Sequence, residues 1–250
     1  RERRAILLGI GMLVLVYYLG SWLQTRSWIS FELGLLATLW GVVALPAILY
    51  ALLAKKRAKE LLGLHVPRVA DGIAAFAIAF AAILLMASWS SVQETILPVP
   101  SAVREEFERM RTSIAALGPV TAFLVLALSP GIAEELFWRG AFQGELEARG
   151  RPVRVVAWSA LFFGLFHLSI YRFVPTAFMG GLLAIVRLRT GSVIPCMVLH
   201  TTYNALNLFV VSRWTEAGLE LGAWLVPVLI LLLVLGLRAL GPRRTRATAD

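Results

Sequence analysis

Apolar residues run along this 250-residue chain in long blocks, and the charged residues sit in short clusters between them. A helix needs ~20 apolar residues to cross a bilayer. Eight blocks approach that length: 5–24, 31–54, 70–92, 114–145, 155–170, 174–188, 192–211 and 219–240. Blocks 155–170 and 174–188 are short and are expected to tilt or to lie in a buried position. Block 114–145 is long and carries charge. The first block is too long for a secretory signal and no small-residue cleavage site follows it, so it reads as a membrane helix. The chain opens on Arg1 rather than Met, which leads us to expect a trimmed or removed native start. The pattern predicts an all-α integral membrane protein, a bundle of about eight transmembrane helices. Residues 1–112 would hold helices one to three and an outer amphipathic loop, 113–211 a core of helices four to seven, and 212–250 the eighth helix and a polar tail.

Composition agrees. Hydrophobic residues make up 59% of the chain and charged residues 16%, with mean hydropathy +0.78. Globular chains carry about 25% charged residues, so a soluble enzyme is excluded. The single cysteine, Cys196, excludes an internal disulfide framework and any CxxC zinc or redox motif.

A net charge of +9 invites a nucleic-acid reading, but the placement of the charges argues for topology instead. With the N-terminus inside, the inner side holds Arg1, Arg3, Arg4, the run from Lys55 to Arg68, the cluster Arg149 to Arg154, Arg187, Arg189 and the basic C-terminal residues, 17 Lys and Arg in all. The outer side holds six: Arg26, Arg104, Arg109, Arg111, Arg172 and Arg213. This imbalance predicts both termini in the cytoplasm. The longest outer loop carries Arg104-Glu105-Glu106-Phe107-Glu108-Arg109, whose i,i+4 charges predict a short surface helix. The tail 241–250 is polar and expected to be disordered.

Ionisable groups inside a bilayer cost ~2.5–3.5 kcal/mol each and mark functional sites by default. Here they gather in three blocks: Glu134, Glu135 and Arg139; His167; and His200 with Asn204. His65, the remaining histidine, falls in a basic inner loop and is expected to be exposed. Block 114–145 could end at Glu134, but apolar residues resume with Leu136, Phe137 and Trp138. The inner basic cluster at Arg149 lies about 22 Å farther along at 1.5 Å per residue, so the helix is expected to run on. Neighbours on a helix point about 100° apart, whereas residues four apart share a face. Glu135 and Arg139 therefore read as an orienting ion pair, and Glu134 faces elsewhere as an unpaired carboxylate suited to act as a base. Phe163 shares a face with His167, and His200 with Asn204. Together these supply a base, a water-positioning group and oxyanion donors, the parts of a hydrolytic site.

Other protease chemistries fit poorly. Aspartate occurs only at Asp71 and Asp250, which excludes a two-aspartate membrane protease. GxSxG and HExxH are absent, and Ser159 and Ser169 have no activating context. Cys196 lies one turn before His200, yet a lone membrane cysteine is usually a small packing residue.

The motifs Glu134-Glu135-Leu136-Phe137-Trp138-Arg139, Phe163-Gly164-Leu165-Phe166-His167 and His200-Thr201-Thr202-Tyr203-Asn204 resemble the EExxxR, FxxxH and HxxxN signatures of the CAAX protease and bacteriocin-processing (CPBP, Abi) membrane family, which includes the type II CAAX prenyl endopeptidases. Residues 180–195 also read like that family's connection into its last motif. The resemblance covers roughly residues 120–208, with each motif expected inside a helix. It implies an eight-helix endopeptidase with a polar cavity inside the bilayer. Glu134 and His167 would activate water, and His200 and Asn204 would stabilise the oxyanion. Glu135, Arg139 and Phe163 would support them. No cofactor is expected. Zinc on Glu134, His167 and His200 is the alternative, disfavoured because no two of these share a helix in a chelating motif. A membrane-anchored protein or peptide substrate is implied, and nucleic acid is not. The Arg-, Ala- and Leu-rich composition suggests a bacterial inner membrane and makes a prenylated substrate less expected. A proton-coupled transporter would use similar buried groups, but no inverted repeat is visible. A non-catalytic immunity or binding protein is the third reading, against which the complete motif set argues.

Overall fold

A computed structural model describes residues 2–54, 58–148, 150–211 and 222–241. Among them every regular element is helical: α1 (Glu2–Gln24), α2 (Phe31–Leu53), α3 (Ala58–Leu62), α4 (Val69–Ile96), α5 (Ser101–Ala116), α6 (Pro119–Glu147), α7 (Pro152–Phe166), α8 (Ile170–Thr190), α9 (Ile194–Val211) and α10 (Val226–Ala239). Six of these, α1, α2, α4, α6, α8 and α9, are long and apolar enough to cross a membrane, while α7 and α10 are shorter apolar helices. Large apolar side chains cover the outside: Leu53 is 81% exposed and Val69 83%. That surface suits acyl chains and not water, so the chain is a multi-pass membrane protein. Trp22 and Trp28, exposed near the loop between α1 and α2, suit the interfacial depth where indoles concentrate. The tail 242–250, the start of the last block at 219–221, and the basic residues Arg1, Lys55, Lys56, Arg57, Arg149 and Arg213 lie outside the described residues.

Three boundaries differ from the sequence expectation. Block 114–145 divides at Gly118, whose φ of 70° turns the chain between α5 and α6. Ile114 thereby belongs to α5, while α6 runs on past Glu134 to Glu147. Pro119 starts α6, where its missing N–H costs nothing. Apolar run 155–170 spans a turn: Leu168 adopts φ 49° and ends α7, so that His167 lies just after the helix and not within it. A leucine in this region is uncommon and carries strain. The expected short block 174–188 is the 21-residue α8. The loop 63–68 is also less open than expected, because Ser192 Oγ donates to the His65 carbonyl at 2.6 Å and His65 is half-buried.

α7 and α8 form a close antiparallel pair. A Cβ on Gly180 would sit 2.8 Å from the Phe163 Cβ, so glycine allows the backbones to approach. Above them, Trp138 and Phe142 of α6 interlock edge-on and tilted with Phe162, Phe163 and Phe166 of α7. The surface helix α5 forms as expected, but its pairs are i,i+3: Arg109 with Glu106 at 2.6 Å and Arg111 with Glu108 at 2.8 Å.

Pro175 lies inside α8 and removes the N–H that would bond the Tyr171 carbonyl. Gln93 of α4 takes its place, its Nε2 donating to Tyr171 O at 2.7 Å, while Trp89 Nε1 donates to Gln93 Oε1 at 2.9 Å and fixes the amide. Replacing Gln93 with Leu leaves that carbonyl unpaired. Thermal unfolding in detergent should show a loss of about 1–3 kcal/mol, with Gln93→Glu losing less than Gln93→Leu only if the carboxyl is protonated.

Candidate active site

Three helices and one turn bring the polar motifs together. On α6, Glu134, Glu135 and Arg139 are all buried. Arg139 Nη1 donates to Glu135 Oε1 at 3.0 Å, the ion pair expected from the i,i+4 spacing. Its Nη2 donates to the Gly180 carbonyl of α8 at 3.1 Å, and its guanidinium lies 4.4 Å from the Phe163 ring centre. One turn on, Gln143 Nε2 donates to the Ala184 carbonyl at 3.1 Å. Two donors four residues apart thus meet two carbonyls four residues apart, which locks the register of α6 against α8. The pair survives a π-helical stretch, Leu136–Phe142, directly after the two glutamates. Such widened turns recur at functional sites.

His200, which shares a helix face with Asn204, also completes this network. Its Nδ1–H donates to Glu135 Oε1 at 2.8 Å. Nothing in the sequence spacing joins residues 135 and 200. The contact depends on Gly131, where a Cβ would come within 3.0 Å of the Thr201 backbone nitrogen. Glycine therefore lets α6 touch α9 at the level of the glutamates.

The turn at Leu168 sets His167. His167 N–H bonds to the Gly164 carbonyl at 3.3 Å, one residue short of the α-helical partner, which frees the Phe163 carbonyl. His167 Nδ1 meets that carbonyl at 2.9 Å. A carbonyl can only accept, so Nδ1 carries the proton and Nε2 keeps its lone pair. Phe163 packs edge-on against both imidazoles, at 5.1 Å from His167 and 5.7 Å from His200.

Glu134 makes no hydrogen bond or ion pair among the described residues, and its Oε2 is enclosed without a partner. It faces a cavity of about 610 Å³ whose wall includes Thr38, His167, Arg172, His200 and Asn204. A second cavity of about 710 Å³ shares His167, Arg172, His200 and Asn204 and adds Phe163 and Tyr203. The candidate residues thus line two spaces that share part of their wall, and nothing in the sequence pattern marks Thr38, Arg172 or Tyr203 as wall residues. The sequence pattern places Arg172 only as an outer-loop charge; its place in the first turn of α8 follows from the turn at Leu168.

A metal shell is a poorer fit to this arrangement. Among the described residues, no three His, Cys, Asp or Glu side chains converge as one ion would require. Cys196 is buried, and its Sγ points to the Leu183 carbonyl at 3.4 Å as a packing residue would.

Breaking the buried pair should be costly. Arg139→Leu leaves Glu135 charged and enclosed, for which about 3–5 kcal/mol is expected. Glu134→Gln removes no pair and should leave thermal unfolding in detergent within about 1 kcal/mol of the parent. Comparing the two variants by thermal unfolding checks this division between scaffold and site.

No curated protein and no solved structure matches the chain. Residues 116–206, from the last residue of α5 into α9, include every motif side chain described above. The motif resemblance to the CAAX protease family is shown across this segment, which matches the family described as type II CAAX prenyl endopeptidase Rce1-like.

Proposed function

We propose that the chain is an intramembrane endopeptidase that cuts a membrane-anchored protein near the membrane. One observation carries the reading: a buried carboxylate without a hydrogen-bond partner among the described residues, Glu134, faces a cavity walled by His167, His200 and Asn204. The family match over residues 116–206 supports the same activity.

In this reading Glu134 takes the proton from a water that His167 Nε2 holds by its lone pair. The oxygen adds to the scissile carbonyl, and the carbonyl π pair moves onto oxygen. Asn204 Nδ2, which has no partner among the described residues, donates to that oxyanion from one side. His200 donates from Nε2. With Nδ1–H already given to Glu135, this requires the doubly protonated ring, whose charge the carboxylate balances. The C–N bond then breaks, and the proton held by Glu134 passes to the leaving amine. Glu135 and Arg139 touch no reacting atom and position His200. The substrate is a membrane-anchored protein or peptide. The shorter α7 and α10 complete eight spans, with both termini cytoplasmic in a bacterial inner membrane.

The test uses the purified full chain in liposomes with a panel of anchored peptides, with and without a strong chelator. Cleavage should survive chelation and fall by at least about a hundredfold in Glu134→Gln, the scale of a lost general base. Undiminished cleavage by Glu134→Gln would overturn the assignment. Loss on chelation with recovery on added zinc would overturn the metal-free mechanism and keep the peptidase.

A further inference from the structure

The surface helix α5 forms part of the wall of both cavities, yet none of its 16 residues is buried. All but its last residue precede the family-matched segment. Phe107, Met110 and Ile114 recur at helical spacing on one face and border the 610 Å³ cavity that Glu134 faces. Glu108 and Arg111 border the 710 Å³ cavity. The opposite face carries Glu105, Arg109 and Thr112, all exposed. An apolar stripe is costly in water and a charged face is costly in hydrocarbon. The helix therefore has two places to lie: across the cavity mouth, or on the bilayer interface with the same stripe among lipid. Its attachments allow that exchange. The chain leaves helical geometry at Leu97, with φ −134° and ψ 77°, and Pro98 and Pro100 have no N–H to donate. At the other end Gly118 turns at φ 70°, with nothing within 4 Å of where a Cβ would stand. A strap crosses the first joint: Arg104 Nη2 meets Glu94 Oε1 at 2.8 Å, with both side chains exposed. Such an exposed pair shifts an equilibrium a few-fold at most.

We propose that α5 is a lid over the Glu134 cavity. It rolls about its own axis between the joint at 97–100 and Gly118, carrying Phe107, Met110 and Ile114 out of the cavity mouth and onto the bilayer interface. The Arg104–Glu94 strap biases it closed. Arg104 lies one turn before Phe107, so a roll that withdraws the stripe also breaks the strap. Segments with few buried contacts and exposed polar bonds open most readily, and enzyme lids are drawn from them. Phe107 is half-buried and is the largest side chain of the stripe, so it contributes most to closure. This inference rests on the peptidase reading for the lid's purpose: an anchored substrate needs the mouth open to reach Glu134. The motion itself does not need turnover.

A thiol on the cavity wall reads the lid directly. Thr38 is buried on the wall of the Glu134 cavity, whereas the native Cys196 is buried and lines neither cavity. The full-length Thr38→Cys chain in phosphatidylcholine nanodiscs is treated with a charged maleimide, and the adduct at each cysteine is followed by mass spectrometry. Cys196 reports any general loosening, and Thr112→Cys on the exposed face of α5 gives the rate of open access. The thiol at position 38 should react at least about tenfold more slowly than the thiol at 112, the mark of a closed mouth held by about one half-buried aromatic. Adding Phe107→Ser should speed position 38 by about tenfold. Adding Glu94→Gln should speed it by about two- to fivefold. Cys196 should stay unreacted in both. Equal rates at 38 and 112 would overturn the proposal, as would a rate that Phe107→Ser leaves unchanged. Should Phe107→Ser expose Cys196 as well, the surface change Glu94→Gln decides alone, and no acceleration there overturns the lid. Turnover is tested separately. Glu94→Cys with Arg104→Cys, joined by a short reducible bis-thiosulfonate bridge, should stop cleavage of anchored peptides and restore it on reduction. Cleavage at the parent's rate in the bridged chain would overturn the lid's role. Lid-dependent labelling in a chain that cuts no peptide would keep the lid and sink the peptidase.

Discussion

The buried Glu135 carboxylate is the constraint on which the rest of this site depends. A charge with no exposed surface must be matched inside the protein, and here two partners do so from different helices. Arg139 comes from the same helix one turn on, and His200 from α9. Arg139 in turn reaches the Gly180 carbonyl and lies against Phe163. One carboxylate thereby ties α6, α7, α8 and α9 into a single arrangement, and the distance from α6 to α9 is short because Gly131 has no side chain.

That scaffold leaves its neighbour unpaired among the described residues. Glu134 and Glu135 are adjacent and about 100° apart on the helix, so satisfying one turns the other away from the network and toward the cavity. The same economy governs the histidines. His167 and His200 each commit Nδ1, one to a backbone carbonyl and one to Glu135, and each keeps Nε2 for another partner. Holding one ring nitrogen is what orients the other. The His200 contact to Glu135 is buried and the His167 contact to Phe163 partly so, and burial strengthens such bonds because less water competes with them.

Backbone irregularities contribute as much as side chains. The left-handed Leu168 ends α7 early, frees the Phe163 carbonyl for His167, and begins α8 so that Arg172 lies on the cavity wall. Pro175 opens a second gap in α8, filled from α4 by Gln93. Both departures from regular helix lie beside the cavities, and a nearby polar group satisfies the carbonyl that each one frees. In an apolar solvent that satisfaction is required.

The sequence by itself determined the all-helical membrane class, because long apolar blocks have no other way to pair their backbone groups in a bilayer. It also determined the Glu135–Arg139 pair, since i,i+4 geometry is local, and it singled out Glu134, His167, His200 and Asn204 as polar groups in apolar surroundings. Local pattern did not reveal where the blocks end. Hydropathy runs unbroken through the turn at Leu168, and Ile114 is as apolar as its neighbours across Gly118. Nor did it join His200 to Glu135 across 65 residues or place Arg172 beside Glu134. Those juxtapositions arise from helix packing at Gly131 and Gly180 and from a single backbone turn, and only the tertiary structure decides which faces of separate helices meet.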